Sequence, residues 1–229
     1  MENIVRRAFR RFLRMVSSPE KVKERYALVH WKRRKKIEGD LQHEHFKQFF
    51  TGHFGLNDKF YENKKLLDVG CGPRGSLEWA DMAHERVGLD PFATSYLKLG
   101  ADKHEMDYVS AYAEDMPFPD GYFDVVSSFN SFDHVDDVDK SINEIARVLA
   151  PGGTFLLITD IRTYPTVCEP QVFSWDIVDK LEPFFEAIEV KHYEESESGI
   201  YESVLAGVEY DHSDPAERKG VLTGRFVRR

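Results

Sequence analysis

The chain has 229 residues, a formal charge of −9, 41% hydrophobic and 31% charged side chains, a composition that excludes disordered and fibrous classes and sets a soft prior of one domain with an extra lobe. Its two cysteines, Cys71 and Cys168, lack ligand spacing and support neither a disulfide framework nor a thiolate zinc site. No stretch nears the roughly 20 apolar residues of a membrane-spanning helix, and the arginines of MENIVRRAFRRFLRMV break any secretory apolar core, so a reducing, cytoplasmic setting is expected.

Residues 1–36 hold eight Arg and five Lys against three acidic residues, a charge of +10, which leaves −19 for the remainder. A basic arm precedes an acidic body. Within the arm, Ile4, Ala8, Phe9, Phe12, Leu13 and Val16 recur at helical spacing, and Ser17-Ser18-Pro19 end that stretch. A second helix is predicted from about Glu20 into WKRRKK, and a third from about Asp40 to Phe50, before a loop at Gly52 and Gly55. From Lys64 the texture changes: Leu66–Val69, Arg86–Leu89, Phe123–Ser128 and Thr154–Thr159 read as strands. Ser76–His84, Phe92–Leu99 and Asp137–Leu149 read as helices. Such alternation implies a parallel sheet covered on both faces. Glu186–Glu194 and Ile200–Tyr210 read as a closing antiparallel hairpin, so the sheet is mixed at one edge. The organisation expected is a helical extension or cap over 1–60, an α/β domain over 61–212 and a tail over 213–229.

The strongest motif is KKLLDVGCGPRGSLEWA, an apolar strand running into Gly70, Gly72 and Gly75 and then an expected helix. Glycines let backbone approach a ligand closely, and a helix N-terminus would add free N–H groups. Asp90, in VGLDPFA, follows about 20 residues later, where a carboxylate accepts from ribose hydroxyls; it also suits a helix N-cap. GCGPRG satisfies the dinucleotide pattern too, but the second half carries EDMPFPDGYFDVV and ends in a hairpin, which argues against a nicotinamide dehydrogenase.

Taken together, DVGCG, VGLDP, AEDMPFPDGYFDVV and INEIARVLAPGGTFLL resemble the class I S-adenosylmethionine-dependent methyltransferases, particularly the group with the quinone-biosynthesis enzymes. The resemblance covers about Lys64 to Ile161. It implies a doubly wound, Rossmann-like, seven-stranded sheet with the hairpin at its edge, and S-adenosyl-L-methionine as cofactor with S-adenosyl-L-homocysteine as product. Carried over by position, Asp68, Gly70, Cys71 and Gly72 would hold the methionine part. Asp90 and Pro91 would meet the ribose, Glu114, Asp115 and Met116 the adenine, and Asn130 the sulfonium end. Pro73-Arg74 departs from the family's alternate glycines, and Arg74 would reach a carboxylate of cofactor or substrate, or else be a solvated loop arginine.

Methyl transfer needs an aligned nucleophile and dry surroundings, with a base only where the acceptor must lose a proton. His134 in NSFDHVDDVDK is the first candidate for that base, and Asp160 and Arg162 in TDIRTYP are candidates to orient or bind substrate. No metal site is read: Asp136, Asp137 and Asp139 suit the first turn of a helix, and His43, His45 and His53 lack ligand spacing. TYPTVCEPQVFSW resembles the family's variable acceptor region, and NSFD lacks the Asn/Asp-Pro-Pro-aromatic motif of base-methylating enzymes. The expected acceptor is therefore a small or lipid-like molecule whose O, N or C nucleophile takes the methyl group. The alternatives are an S-adenosylmethionine-binding subunit that regulates a partner without transferring a methyl, and an RNA methyltransferase using the basic arm. For the arm itself, docking on its own acidic body, lying on an anionic membrane surface and binding RNA all stand.

Overall fold

The computed structural model describes residues 18–41 and 43–229, and the chain divides into two compact units at Leu41/Gln42. The amphipathic stretch expected over 4–16 lies outside the described residues. In the first unit, α1 spans Pro19–Glu38, where a helix was expected. Ser18 Oγ accepts from Lys21 N at 3.4 Å, Pro19 starts the helix and Gly39, at φ +81, ends it. Proline in the first turn and a C-terminal glycine are the residues that helix ends favour.

Residues 42–229 build one seven-stranded sheet: β1 (Lys65–Val69), β2 (Glu85–Leu89), β3 (Asp107–Val109), β4 (Phe123–Phe129), β5 (Leu149–Ile161), β6 (Phe185–Glu194) and β7 (Gly220–Arg228). The spatial order is β3-β2-β1-β4-β5-β7-β6. β7 runs antiparallel to β5 and β6, and the pairs from β3 to β5 are parallel. Chain order reverses between β1 and β4, so a crevice opens at their carboxyl ends, the place where doubly wound sheets receive ligands.

Side chains alternate along each strand, so β5 sends Phe155 and Leu157 to one core and Leu156 and Ile158 to the other. The first core is covered by α5 (Val138–Val148), through Ile142 and Ile145, and by α6 (Ile177–Leu181). Asp137 caps α5, its Oδ1 accepting from Lys140 N at 3.1 Å, as the acidic run there suggested. The second core is aromatic. Its residues come from α2 (Phe46–Phe50), a 3-10 turn at Gly52–Phe54 and α3 (Asp58–Tyr61), and Phe49, Phe50, Phe54 and Tyr61 are buried. Tyr61 Oη donates to Phe50 O at 2.5 Å, and the Tyr61 ring meets Trp79 edge-on at 5.0 Å.

Five expectations need correction. Residues 46–60 belong to the core of the sheet unit rather than to an N-terminal extension, and only Phe46–Phe50 of the third helix forms. Ser76–His84 makes successive three-residue turns instead of a helix, with Glu78 N on Gly75 O, Ala80 N on Leu77 O and Ala83 N on Ala80 O; the aromatic segment fills that face. Ile200–Tyr210 opens with α7 (Ile200–Ala206), ended by Gly207 at φ +64. The strand that pairs with β6 is β7, from the stretch expected to be a tail.

The remaining short helix, α4 (Ala93–Leu97), follows β2. Among the described residues no helix is long and apolar enough to cross a membrane.

Candidate active site

β1 delivers Asp68 to the crevice, with β2 on one side and β4 on the other: its register partners are Gly88 and Ser127. The carboxylate is buried and accepts from Ser76 Oγ at 2.5 Å and from Ser127 Oγ at 2.6 Å. Burial outweighs those two hydrogen bonds and pushes the carboxyl up to about 6. The chain then turns at Gly70, whose φ is +77 and whose N donates to Leu89 O at 2.7 Å. A Cβ there would sit 2.3 Å from Ser131 Cβ. Only glycine fits.

Asp90, at the carboxyl end of β2, faces the same loop. Gly72 N donates to its Oδ2 at 3.3 Å and Phe92 N to its Oδ1 at 2.9 Å. It too is buried, and burial pushes it up to about 6. Each ionised carboxylate offers about four acceptor positions, and among the described residues two are used on Asp68 and two on Asp90. Their spare capacity fits the hydroxyl and ammonium donors of S-adenosylmethionine. The N–H groups facing the crevice come from the loop itself, because no helix follows it.

Cys71 is buried in contact range of Gly88, and burial raises its thiol well above the ordinary value. Pro91 O accepts from Ser110 Oγ at 2.9 Å. Arg74 is buried rather than solvated, 7% exposed. Tyr201 on α7 lies close enough for Asp68 to help burial raise its phenol while Arg74 opposes. Its ring packs on Phe49 at 4.8 Å. Sequence reasoning missed Tyr201 because its segment read as a strand.

The segment 114–116 divides by role. Glu114 Oε1 accepts from Asp136 N at 2.7 Å and Asp137 N at 3.0 Å, and so fixes the approach to α5. The Asp115 side chain is exposed, whereas Met116 is buried in the first core. Met116 N donates to Glu144 Oε2 at 2.7 Å and its carbonyl accepts from Arg147 Nη2 at 2.9 Å. Glu144 and Arg147, paired at 2.7 Å on α5, thereby set this loop. Their three-residue spacing was the available signal.

A cavity of about 340 Å³ lies at the carboxyl ends of β4 and β5, lined in part by Asn130, Asp160, Arg162, Tyr164, Thr166 and Glu169. The TYPTVCEP stretch thus does line a pocket. Asn130 adopts φ +54, and its N donates to Ile158 O at 2.7 Å. The Arg162 side chain is largely covered, 10% exposed, and bonded to Asp160 and Glu169, with Asp133 Oδ2 at 3.2 Å. Its donors are engaged, which makes it a poor anchor for an acceptor carboxylate. His134 is about half exposed and stands outside the cavity lining, with Nε2 3.8 Å from Asp133 Oδ1 and 3.9 Å from Glu169 Oε1. Asp133 is 1% exposed, and burial pushes it up to about 7 against the pull of Arg162.

Residues 67–157 match the family described as "Methyltransferase domain". The chain is 33% identical over 139 residues to a chloroplastic tocopherol O-methyltransferase of Arabidopsis thaliana, covering 56% of this chain and 40% of that one. It is 36% identical over 107 residues to a ubiquinone/menaquinone biosynthesis C-methyltransferase of Vibrio parahaemolyticus, covering 42% and 40%. The matches thus span well under two thirds of these relatives. The fold also resembles a Thermotoga maritima structure described as an S-adenosylmethionine-dependent methyltransferase, with a TM-score of 0.59 at 16% identity, covering 90% of this chain and 98% of that one. The sheet order, the glycine loop and these matches define a class I S-adenosylmethionine-dependent methyltransferase domain. Quinone-biosynthesis C-methyltransferases are among the relatives that match it, and the cofactor such a domain implies is S-adenosyl-L-methionine.

Proposed function

We propose that this protein transfers a methyl group from S-adenosylmethionine to a small organic acceptor seated in the cavity beside Asn130 and Asp160. The observation that carries the reading is the pair of buried, under-used carboxylates, Asp68 and Asp90, on either side of a loop that only glycine can form at position 70. In this reading Asp90 holds the ribose hydroxyls, and Asp68, with the loop backbone at Gly70, Cys71 and Gly72, holds the amino-acid end. Asp115, exposed beside the packed Met116, accepts from the adenine amine. Asn130 lies between this group and the cavity. The cofactor supplies a methyl group already activated on a positive sulfur.

The protein's own task is to align the acceptor and exclude water. Tyr201 and the aromatic core behind it dry one side of the crevice. Asp160 orients the acceptor, and Arg162 fixes Asp160. For acceptors that must lose a proton, Glu169 at the cavity wall takes it and passes it to His134, which stands outside the lining with its Nε2 3.9 Å from Glu169 Oε1. The relatives are named for O-, C- and N-methylation, so the acceptor atom is not carried over from them.

Calorimetric titration of the full chain with S-adenosylmethionine and S-adenosylhomocysteine tests the reading. Micromolar binding is expected, weakened about 100-fold or more in Asp90→Ala, which removes two charge-assisted hydrogen bonds. A tritiated-methyl transfer assay on a metabolite pool then separates an enzyme from a binding subunit. Absence of heat with either ligand refutes the proposal.

A further inference from the structure

The first unit carries a surface that the methyltransferase reading does not use. α1 holds eight basic residues against Glu20, Glu24 and Glu38, a charge of +5, and none of its residues is buried. At about 100° per residue, their arrangement around the helix is uneven. Val22, Tyr26, Val29, Arg33 and Ile37 recur at helical spacing and form one stripe about 80° wide. Lys21, Arg25, Lys32 and Lys36 run along one side of it, and Lys23, His30 and Arg34 along the other, while the three acids take the far side of the helix. The stripe is open: Tyr26 is 41% exposed, Val29 63% and Ile37 67%. Arg34 pairs with Glu38 at 2.8 Å and Lys35 with Asp40 at 3.6 Å. Lys21, Arg25, Lys32, Arg33 and Lys36 are exposed, and among the described residues no ion pair engages them.

We propose that this face of α1 lies on an anionic lipid surface, with Tyr26, Val29 and Ile37 set into the interface and the flanking Lys and Arg at the headgroups. The proposal goes beyond the methyltransferase reading and does not rest on it. Cations with no acid among them complement a negative partner. Large apolar side chains between two basic rows further select a partner with an apolar layer beneath its charge, the pattern of helices that lie in the plane of a bilayer surface. Lys and Arg stems reach outward from such a stripe to headgroups, and Arg33 does so from within it. A nucleic acid satisfies the cations alone, because phosphate contacts leave Val29 and Ile37 in water. A second copy of α1 would bring five more positive charges against the first. The helix lies on the surface rather than across it, since it is not apolar enough to span.

The test is co-sedimentation of the full chain, without cofactor, with vesicles of phosphatidylcholine alone or with about 30% phosphatidylglycerol, at about 0.15 M salt. Binding to the anionic vesicles is expected to be at least about 10-fold tighter than to the neutral ones. Lys32→Gln with Lys36→Gln should weaken it about 25-fold, at about 5-fold per charge. Val29→Gln with Ile37→Gln keeps every charge and suits a helix; it should weaken vesicle binding about 10-fold. Val29→Trp should tighten it, a gain that misfolding cannot mimic. No pelleting with anionic vesicles, equal pelleting with neutral ones, binding unchanged in either double variant, or no gain in Val29→Trp would each overturn the proposal. So would an RNA strand of about 20 nucleotides that strips the protein from anionic vesicles at equal phosphate concentration, because nucleic acid would then be the preferred partner.

Discussion

Replacing Gly70 by alanine isolates the contribution of the loop. At φ +77 an L-residue loses about 1–2 kcal/mol against glycine. The added methyl would also lie 2.3 Å from Ser131 Cβ and 2.6 Å from Ser131 Oγ, far inside van der Waals contact. Ser131 cannot yield cheaply, because its Oγ donates to Val69 O at 2.8 Å and lies 2.7 Å from Ser128 Oγ; overpacking of this kind adds about 1–3 kcal/mol. The expected loss is about 2–5 kcal/mol, or roughly 5–20 °C in Tm for a chain of this size. Gly70→Ala with Ser131→Gly removes the overlap and keeps the φ penalty, so the double variant should recover about 1–3 kcal/mol relative to the sum of the singles. Thermal and urea unfolding measure both, and calorimetry with S-adenosylhomocysteine follows the site. A single variant within 2 °C of wild type, or strictly additive losses, would refute the close approach of β1 to Ser131.

Tyr61→Phe should cost about 1–2 kcal/mol in urea unfolding, because it removes the 2.5 Å hydrogen bond to Phe50 O in a fully buried setting. Asp68 gives a pH dependence whose sign is fixed: its folded value, about 6, lies above the unfolded 3.8. Its contribution is complete below the unfolded value and fades as pH rises through the folded one. Wild type should therefore lose about 2.4 kcal/mol more than Asp68→Asn between pH 4 and pH 7.5, read by urea unfolding at each pH. Arg162→Met strands Asp133, Asp160 and Glu169 and should destabilise by about 3–5 kcal/mol at pH 8. The loss should be smaller at pH 5, where the raised carboxyls take up protons, and equal losses at the two pH values would contradict the ion cluster.

The central strands were legible because each is a short apolar run with a polar or glycine boundary, and α5 because Ile142, Ile145 and Ala146 recur at helical spacing. Asp68, Asp90 and Gly70 were legible for the same reason, since a motif of strand, glycine turn and acid is local. What was missed depends on distant partners. SLEWADMAHE has helical composition, yet aromatic residues some 20–30 positions earlier fill the face on which a helix would lie. IYESVLAGVEY alternates well enough for a strand, but β6 pairs with a later segment and leaves it to coil as α7. Ser127 could not be read as the partner of Asp68, because parallel register across 59 residues brings them together.

The buried acids of this protein share one edge of the sheet. Asp90 ends β2, Asp68 lies near the end of β1, Asp133 follows β4 and Asp160 lies near the end of β5. Burial raises all four carboxyls, so each destabilises the fold around neutral pH in the absence of a ligand. Stability comes from elsewhere, chiefly the two apolar cores on the faces of the same strands. A ligand carrying positive charge or donors to that edge relieves the penalty as it binds, and by linkage it stabilises the protein in proportion to its affinity. The donor in the proposed reaction, a sulfonium with an ammonium at its amino-acid end, has that character. An edge short of positive charge is thereby prepared for that donor at Asp68 and Asp90, whereas at the ends of β4 and β5 Arg162, fixed among three acids, supplies the positive charge itself.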